Sequence, residues 1–298
     1  MLLTVAIATW NRCALLSQTL AALARVRLPA DMTWQVLVCD NHSTDATRQA
    51  VEAAPQALGA TYLFEPRQGK SHALILILGQ ARGDWVLFLD DDVLVEPDLL
   101  EAYAAGWRRH PAATCLGGPI LPWLPRPLPA RRAWLVREYP GIFGVLEVAQ
   151  DTAMNPPGVS AWGANMMFRR DALPAGGFDP QRGVMAGVRV GGEDVALVTD
   201  VLARGGEGWL LPQALVRHYL PCQRASGRAF CQWQVGFGRT WRLTRGAPAP
   251  GRWGVPWWAW REMIRRKFRV LACWRPKPTR TYYDALAAAC QYWGYLRG

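Results

Sequence analysis

Apolar residues arrive in short unbroken runs at the start of the chain, each followed by a stretch with helical spacing. Leu3 to Ala8 has the length and β-branched content of a buried strand, and Asn11 to Ala24 places Leu15, Leu16, Leu20 and Leu23 at helical intervals. Trp34 to Cys39 predicts a second strand, ended by Asp40-Asn41-His42-Ser43, with a helix over Thr44 to Ala53. Thr61 to Phe64 predicts a short third strand and Lys70 to Ala81 a helix. Trp85 to Leu89 predicts a fourth strand, which runs directly into Asp90-Asp91-Asp92. Strands that are apolar throughout are covered on both faces, so this alternation predicts an α/β fold with a mostly parallel, Rossmann-like sheet and helices on either side. In such open sheets ligands bind beyond the carboxyl ends of the strands. Thr9 to Arg12, Asp40 to Ser43 and Asp90 to Asp92 all fall there.

The pattern weakens beyond Ile120. Leu121 to Pro129 is proline-rich and predicts an irregular excursion, with no element assigned as far as Pro157. Ala161 to Phe168 then predicts a strand, Glu193 to Leu202 a helix, and Gly208 to Leu211 and Ala214 to His218 two strands expected to complete the same sheet. From Pro256 to Trp274 a helix with two unlike faces is expected. Trp257, Trp260, Met263, Ile264, Phe268, Val270, Leu271 and Trp274 share one side, and Arg261, Arg265, Arg266 and Arg269 the other. One main domain over residues 1–245 and a basic helical extension over 246–298 follow from this division.

Charge sharpens the division. The 298 residues carry a net +11, with 51% apolar and 19% charged side chains, enough apolar content for a large core. Residues 239–298 hold 13 basic and 2 acidic side chains, whereas the first 238 hold 21 of each. The excess sits entirely in the tail, as if for an anionic partner. Tryptophan among arginines is the composition of a helix lying in a membrane interface; the alternative is a helix packed on its own domain with a basic solvent face. Nucleic acid is not expected as a partner, because basic charge alone is nonspecific. No run approaches the roughly 18 apolar residues of a membrane span, so any membrane contact is expected to be peripheral. The apolar N-terminus lacks a basic leader and a cleavage site, and export is not expected. Seven cysteines without close pairs point to reduced thiols and a cytosolic setting.

Three successive carboxylates after an apolar strand repel one another unless a cation compensates. Magnesium or manganese takes oxygen ligands and keeps positions open for phosphates, so Asp90, Asp91 and Asp92 have the makings of a metal and diphosphate platform. The alternative is a solvated acidic turn before a helix starting near Pro97. Asp40 either accepts a hydrogen bond from a nucleobase N–H or caps the next helix.

Ala8-Thr9-Trp10-Asn11-Arg12, Val38-Cys39-Asp40-Asn41-His42-Ser43-Thr44-Asp45 and Leu87-Phe88-Leu89-Asp90-Asp91-Asp92 together resemble a family 2 glycosyltransferase over residues 1–245. The resemblance implies a GT-A fold, inverting chemistry, a nucleotide diphosphate sugar donor of UDP type and a divalent metal, manganese or magnesium. Residues 1–120 would form the nucleotide-sugar-binding half and 121–245 the acceptor half. Thr9 and Asn11 would lie near base and ribose, Arg12 near the donor, and Asp40, with Asn41, at the base. Asp90 would face the ribose with Asp91 beside it, and Asp92 would hold the metal. Gly69-Lys70-Ser71-His72 resembles a helix start beside the donor diphosphate, although Ile77 stands about where the family has an asparagine.

Gly191-Gly192-Glu193-Asp194 resembles the family's Glu-Asp motif, in which the second acid is the base. That makes Asp194 the expected catalytic base, with Glu193 beside it; an acidic first turn chosen only for helix stability is the alternative. Trp162, Gly163 and Asn165 resemble the acceptor-side strand, where Trp162 either stacks on a sugar or belongs to the core. His218 matches a position where some relatives carry a histidine on the metal or diphosphate, though a lone histidine is commonly structural. Arg224 and Arg228 are candidates for a lid. The implied acceptor is a glycan or lipid-linked hydroxyl at the inner face of the cell membrane. A nucleotidyltransferase would begin with a glycine-rich phosphate loop, which Thr9-Trp10-Asn11-Arg12 lacks. A noncatalytic nucleotide-sugar-binding scaffold stays open.

Overall fold

A computed structural model of the chain describes residues 1–156, 158–180, 183–185, 188–190, 192–246, 257–275 and 279–297. The first half follows the predicted alternation closely. Strand β1 (Leu2–Thr9), helix α1 (Cys13–Leu23), β2 (Thr33–Asp40), α2 (Thr47–Glu52), β3 (Thr61–Phe64), α3 (Lys70–Gln80) and β4 (Trp85–Asp90) succeed one another, then β5 (Val93–Val95), α4 (Leu99–Arg109), β6 (Ala113–Gly117) and β7 (Ile120–Trp123). The second half adds α5 (Ala130–Glu138), β8 (Thr152–Ala153), β9 (Asn165–Arg169), β10 (Gly183–Met185), β11 (Val188–Val190), α6 (Glu193–Ala203), β12 (Glu207–Leu210), β13 (Val216–Tyr219), α7 (Gly227–Arg245), α8 (Trp257–Ala272) and α9 (Arg280–Arg297).

The chain divides into two compact units. The first comprises residues 1–123, 144–186 and 192–219, and the second residues 124–143, 187–191 and 220–298. The second unit thus takes in residues well before 246, where the sequence reading set the extension, because α5 and α7 belong to it with the tail.

In the first unit an eight-stranded sheet runs β3-β2-β1-β4-β9-β6-β12-β8. Neighbours β3, β2, β1 and β4 are parallel, while β9 lies antiparallel between β4 and β6. Successive side chains alternate between two cores. Leu3, Val5 and Ile7, with Val36, Val38, Leu87 and Leu89, pack on α1 and α4 through Leu16, Leu20, Leu99 and Tyr103. Ala6, Leu37, Val86 and Phe88 point the other way, onto α3 and α6 through Leu74, Ile77, Val198 and Val201. With water excluded from both faces, these strands are apolar at most positions, and the buried Thr4 hydroxyl is satisfied by donating to Gln35 Oε1 on the neighbouring strand at 3.1 Å.

Two expectations are corrected, and a stretch left unassigned gains a helix. β13 does not join the large sheet but lies between β5 and β7 in a separate three-stranded one, antiparallel to β5 and parallel to β7. The proline-rich stretch opens as strand β7, with Pro122 inside it. Its partner β13 registers there through His218↔Pro122. The stretch with no assigned element contains α5. Gly191 and Pro256, each part of a motif or helix named above, lie outside the described residues.

Asn165 opens β9 and is fully buried. Its Nδ2 donates to the carbonyls of Ala214 at 2.7 Å and Pro119 at 3.2 Å, and its Oδ1 accepts from the Tyr103 hydroxyl at 2.6 Å. The chain passes tightly here, since a Cβ on Gly118 would fall 1.9 Å from the Ala214 carbonyl oxygen. These bonds make Asn165 a brace between segments, and its burial does not fit the expected contact with an acceptor.

In the second unit, Leu135, Phe143, Leu220, Phe230 and Tyr283 form a core joining α5, α7 and α9. Helix α8 rests on α9 through Ala259 and Met263 against Leu296, Tyr292 and Trp293. Met263 therefore leaves the face with which the sequence grouped it. Arg266 leaves the opposite one, its guanidinium lying 4.9 Å from the Tyr292 ring centre.

Asn165→Ala is expected to cost about 2–4 kcal/mol in urea unfolding, because it strands a buried hydroxyl and two carbonyls. A loss below 0.5 kcal/mol, on the order of a surface substitution, would remove the bracing role.

Candidate active site

The ends of β1, β2 and β4 bring their polar residues together, as the parallel topology requires. Thr9 donates from Oγ1 to Asp91 Oδ2 at 2.8 Å. Arg12 spans two carboxylates, its Nη1 lying 2.8 Å from Asp91 Oδ1 and 2.9 Å from Asp92 Oδ2. Lys70, the first residue of α3, pairs with Asp90 Oδ1. Asp91 and Asp92 are both buried. Burial and the neighbouring carboxylates push Asp91 up to about 6 in spite of Arg12. At Asp90 burial works in the same direction, but Lys70 overcomes it and holds that carboxyl below its ordinary value. Burial also opposes the charges on Arg12 and Lys70, and the facing aspartates nonetheless raise both.

The other oxygens of the outer pair lie beside His218 near the end of β13. Its Nε2 is 3.0 Å from Asp92 Oδ1 and 4.0 Å from Asp90 Oδ2. One ligand atom from each of Asp90, Asp92 and His218 lies within 4.8 Å of the others. Two carboxylates and an imidazole suit a manganese or magnesium ion, so the residues present fit the metal that the sequence implied. The lone histidine joins the acidic cluster only because β13 pairs antiparallel with β5, with His218 opposite Val93.

At the β2 end, Asp40 is buried, accepting from the Ser43 N–H on Oδ1 and from the Tyr62 hydroxyl on Oδ2, each at 2.8 Å. Asn41 is spent on the scaffold. Its Nδ2 donates to the Arg67 and Glu65 carbonyls and its Oδ1 accepts from the Gly69 N–H, fixing the turn into α3. Asn11 adopts a positive φ of 51° and ties the β1 and β2 loops together. Its N–H donates to Ser43 Oγ at 2.8 Å and its Oδ1 accepts from the Thr44 N–H at 2.7 Å. Tyr62, which orients Asp40, carried no sequence signal; it becomes visible only through the register of β3 on β2.

Glu193 and Asp194 open α6, after Gly192 in a left-handed conformation at φ 98°. Asp194 Oδ2 accepts from the Gly163 N–H at 2.9 Å and Oδ1 from the Val195 N–H at 2.8 Å. A Cβ at Gly163 would sit 3.3 Å from Lys70 Nζ and 3.8 Å from Asp194 Oδ2, so the missing side chain lets three segments meet. Lys70, Gly163, Glu193 and Asp194 line one recess with Leu74, Phe88 and Phe178, apolar residues that had no functional signal. Burial, with the nearby Asp194 charge, pushes Glu193 up to about 7 despite Lys70. Trp162 is half-buried and packs on the core of β1 and β4, which favours the structural one of its two expected roles.

The glycosyl transferase family 2 model matches residues 4–176, more than half of the chain, and the protein belongs to that family. Its sheet and helices form a GT-A fold. The succinoglycan biosynthesis protein ExoM of Rhizobium meliloti is 27% identical over 220 residues, 71% of this chain and 65% of that protein. A validoxylamine A glucosyltransferase of Streptomyces hygroscopicus subsp. jinggangensis is 34% identical over 142 residues, 47% of this chain and 33% of that one. The chain thus spans less than two thirds of either relative. Among solved structures, the Pyrobaculum calidifontis mannosyltransferase PcManGT, in complex with GDP-Man and Mn2+, superposes with TM-score 0.60 at 20% identity, covering 97% of this chain and 85% of that one. S. aureus TarS 1–349, in complex with UDP-GlcNAc, gives 0.55 at 17% identity, covering 99% and 89%.

Because the fold holds the Glu193 proton more tightly than the unfolded chain does, this group favours the native state below its ordinary value of 4.5, and that contribution is lost as pH rises through about 7. Glu193→Gln is expected to raise the metal-free melting temperature by about 2–4 °C near pH 8 and hardly at all near pH 4.5. Melting scans across that range check it. An equal shift at both ends would mean that Glu193 is not held protonated by its surroundings.

Proposed function

We propose that the protein is an inverting, metal-dependent glycosyltransferase that moves a sugar from a UDP-type nucleotide diphosphate donor to an acceptor hydroxyl. The observation that carries this is the meeting, within one unit, of the Asp90, Asp92 and His218 donor set with Arg12, Lys70 and Asp194. Asp40 would accept from the base N–H through lone pairs that Ser43 and Tyr62 leave available, since a carboxylate has about four acceptor positions. Thr9, Asn11 and Asn41 hold the loops around it, while Arg12 and Lys70 lie where a diphosphate would add negative charge.

Asp194 is proposed as the base. Two backbone N–H groups orient its carboxylate, which would take the proton from the acceptor oxygen as that oxygen bonds to the anomeric carbon. The bond from that carbon to the diphosphate oxygen breaks on the opposite side, and the nucleoside diphosphate leaves with the electron pair. Glu193, raised to about 7, is neutral below that pH and spares Asp194 a second negative neighbour there. A divalent ion on Asp90, Asp92 and His218 would supply positive charge to the leaving diphosphate. Arg12 and Lys70 add to it from the protein. Gly163, without a side chain, lets Lys70 and Asp194 come close to the same backbone.

The acceptor is proposed to be a bacterial glycan or lipid-linked saccharide met at the inner face of the cell membrane, with the basic tail turned toward anionic lipid. Support comes from the tail's charge and from the ExoM relative, whose name places it in succinoglycan biosynthesis.

Nucleotide sugars screened with manganese should raise the melting temperature by several degrees at saturation, as expected of a ligand that binds only the native state. Asp92→Asn should lose the metal-dependent part of that shift. Asp194→Asn should keep the shift and lower turnover by about 10²–10⁴. Release of nucleoside diphosphate checks the chemistry. Stabilisation without any release would favour a scaffold, and pyrophosphate as product would favour a nucleotidyltransferase.

A further inference from the structure

Helix α8 has apolar residues on two sides, and α9 accounts for only one of them. Ala259 and Met263 are buried against Leu296, Tyr292 and Trp293. Arg266 closes that side, stacking over Tyr292, pairing with Glu262 and donating to the Ala288 carbonyl. On the outward side Trp257 is 77% exposed, Phe268 67%, Leu271 70% and Ile264 49%. At the helical turn of 100° per residue these four fall within an arc of about 60°. Arg261 and Arg265 border the stripe on one flank and Lys267 on the other, all exposed. Trp274, just past the helix, is 58% exposed as well.

We propose that this outward stripe of α8 docks on an anionic bilayer surface, with Trp257, Ile264, Phe268 and Leu271 entering the boundary between headgroups and acyl chains. The inference rests on the membrane setting proposed above and assigns it to particular residues. Large apolar side chains gathered in one exposed band call for a covering surface. The cations on both flanks select its charge, because lipid phosphates would meet them on either side of the inserted stripe. A second copy of the same face is disfavoured, since pairing two such stripes sets Arg261, Arg265 and Lys267 against their own kind. Spanning the bilayer is excluded for this helix. Its 16 residues reach only about 24 Å against a hydrocarbon core of roughly 30 Å, and none of the described helices is long and apolar enough to cross.

The test is sedimentation of the full chain with vesicles of phosphatidylcholine alone and with one-third phosphatidylglycerol. Binding is expected only to the anionic vesicles and should weaken as salt rises. Phe268→Ser combined with Leu271→Ser should lower that affinity by about tenfold or more, with the melting temperature unchanged because both residues are exposed. Arg261→Gln with Arg265→Gln should flatten the salt dependence. Equal binding to neutral vesicles, no binding, or an unchanged affinity in the Phe268/Leu271 variant would overturn the assignment. So would a dimer that the same two substitutions dissociate. Stabilisation by nucleotide sugar and manganese, measured on the same preparations without lipid, separates the two ideas: if it persists while vesicle binding fails, only the docking face is wrong. Vesicle binding with no such stabilisation would sink the glycosyltransferase proposal and leave the docking face standing.

Discussion

Carboxylates crowded at the end of a buried strand cannot all stay charged without positive partners, and the architecture of the first unit answers that constraint. Asp90 ends the central strand β4 and Asp91 and Asp92 form the turn after it, both buried. The protein supplies two cations of its own, Lys70 on Asp90 and Arg12 across Asp91 and Asp92. Both come from helix starts or the loops before them, at the same edge of the sheet. Even so, Asp91 stays raised to about 6, a sign that the compensation is incomplete. A divalent ion held by Asp90, Asp92 and His218 would supply the missing positive charge.

The acidic pair at the start of α6 is handled differently. Asp194 is held by backbone N–H groups from two segments, Gly163 before β9 and Val195 in its own helix. Glu193 beside it is pushed toward neutrality by burial. The two adjacent carboxyls thus sit in unlike surroundings, one hydrogen-bonded by the backbone and the other desolvated. Their position depends on Gly163, whose absent side chain leaves room for Lys70 and Asp194. The fully buried brace of Asn165 follows two residues later and anchors that segment to Pro119 and Ala214.

The second unit is built on another balance. Its core of Leu135, Phe143, Leu220, Phe230 and Tyr283 is aromatic-rich and gathered from α5, α7 and α9, segments far apart in the chain. Helix α8 packs apart from that core, its Ala259 and Met263 forming a separate small cluster with Leu296. Most of its tryptophan, phenylalanine and leucine surface remains outside. This helix owes its place to α9 and keeps an outward side whose composition is unlike that of an ordinary solvent-facing helix.

The sequence by itself determined the strand and helix alternation of residues 2–90, because strands covered on both sides must be apolar at most positions and leave a near-continuous trace. It also determined the motifs at the strand ends and the family, since these are local runs of residues. Only tertiary structure decided which polar groups meet. His218 reaches the aspartates through the antiparallel pairing of β13 with β5, Tyr62 reaches Asp40 through the register of β3, and Asn165 becomes a brace through contacts with residues 46 to 62 positions away. The sequence grouped Met263 with Trp257, Ile264, Phe268 and Leu271 on one side of α8, and only the packing of α9 separates the covered Met263 from the open four. Periodicity records how much of a residue is buried, whereas pairing partners are set by the folded path of the chain, which no local pattern encodes.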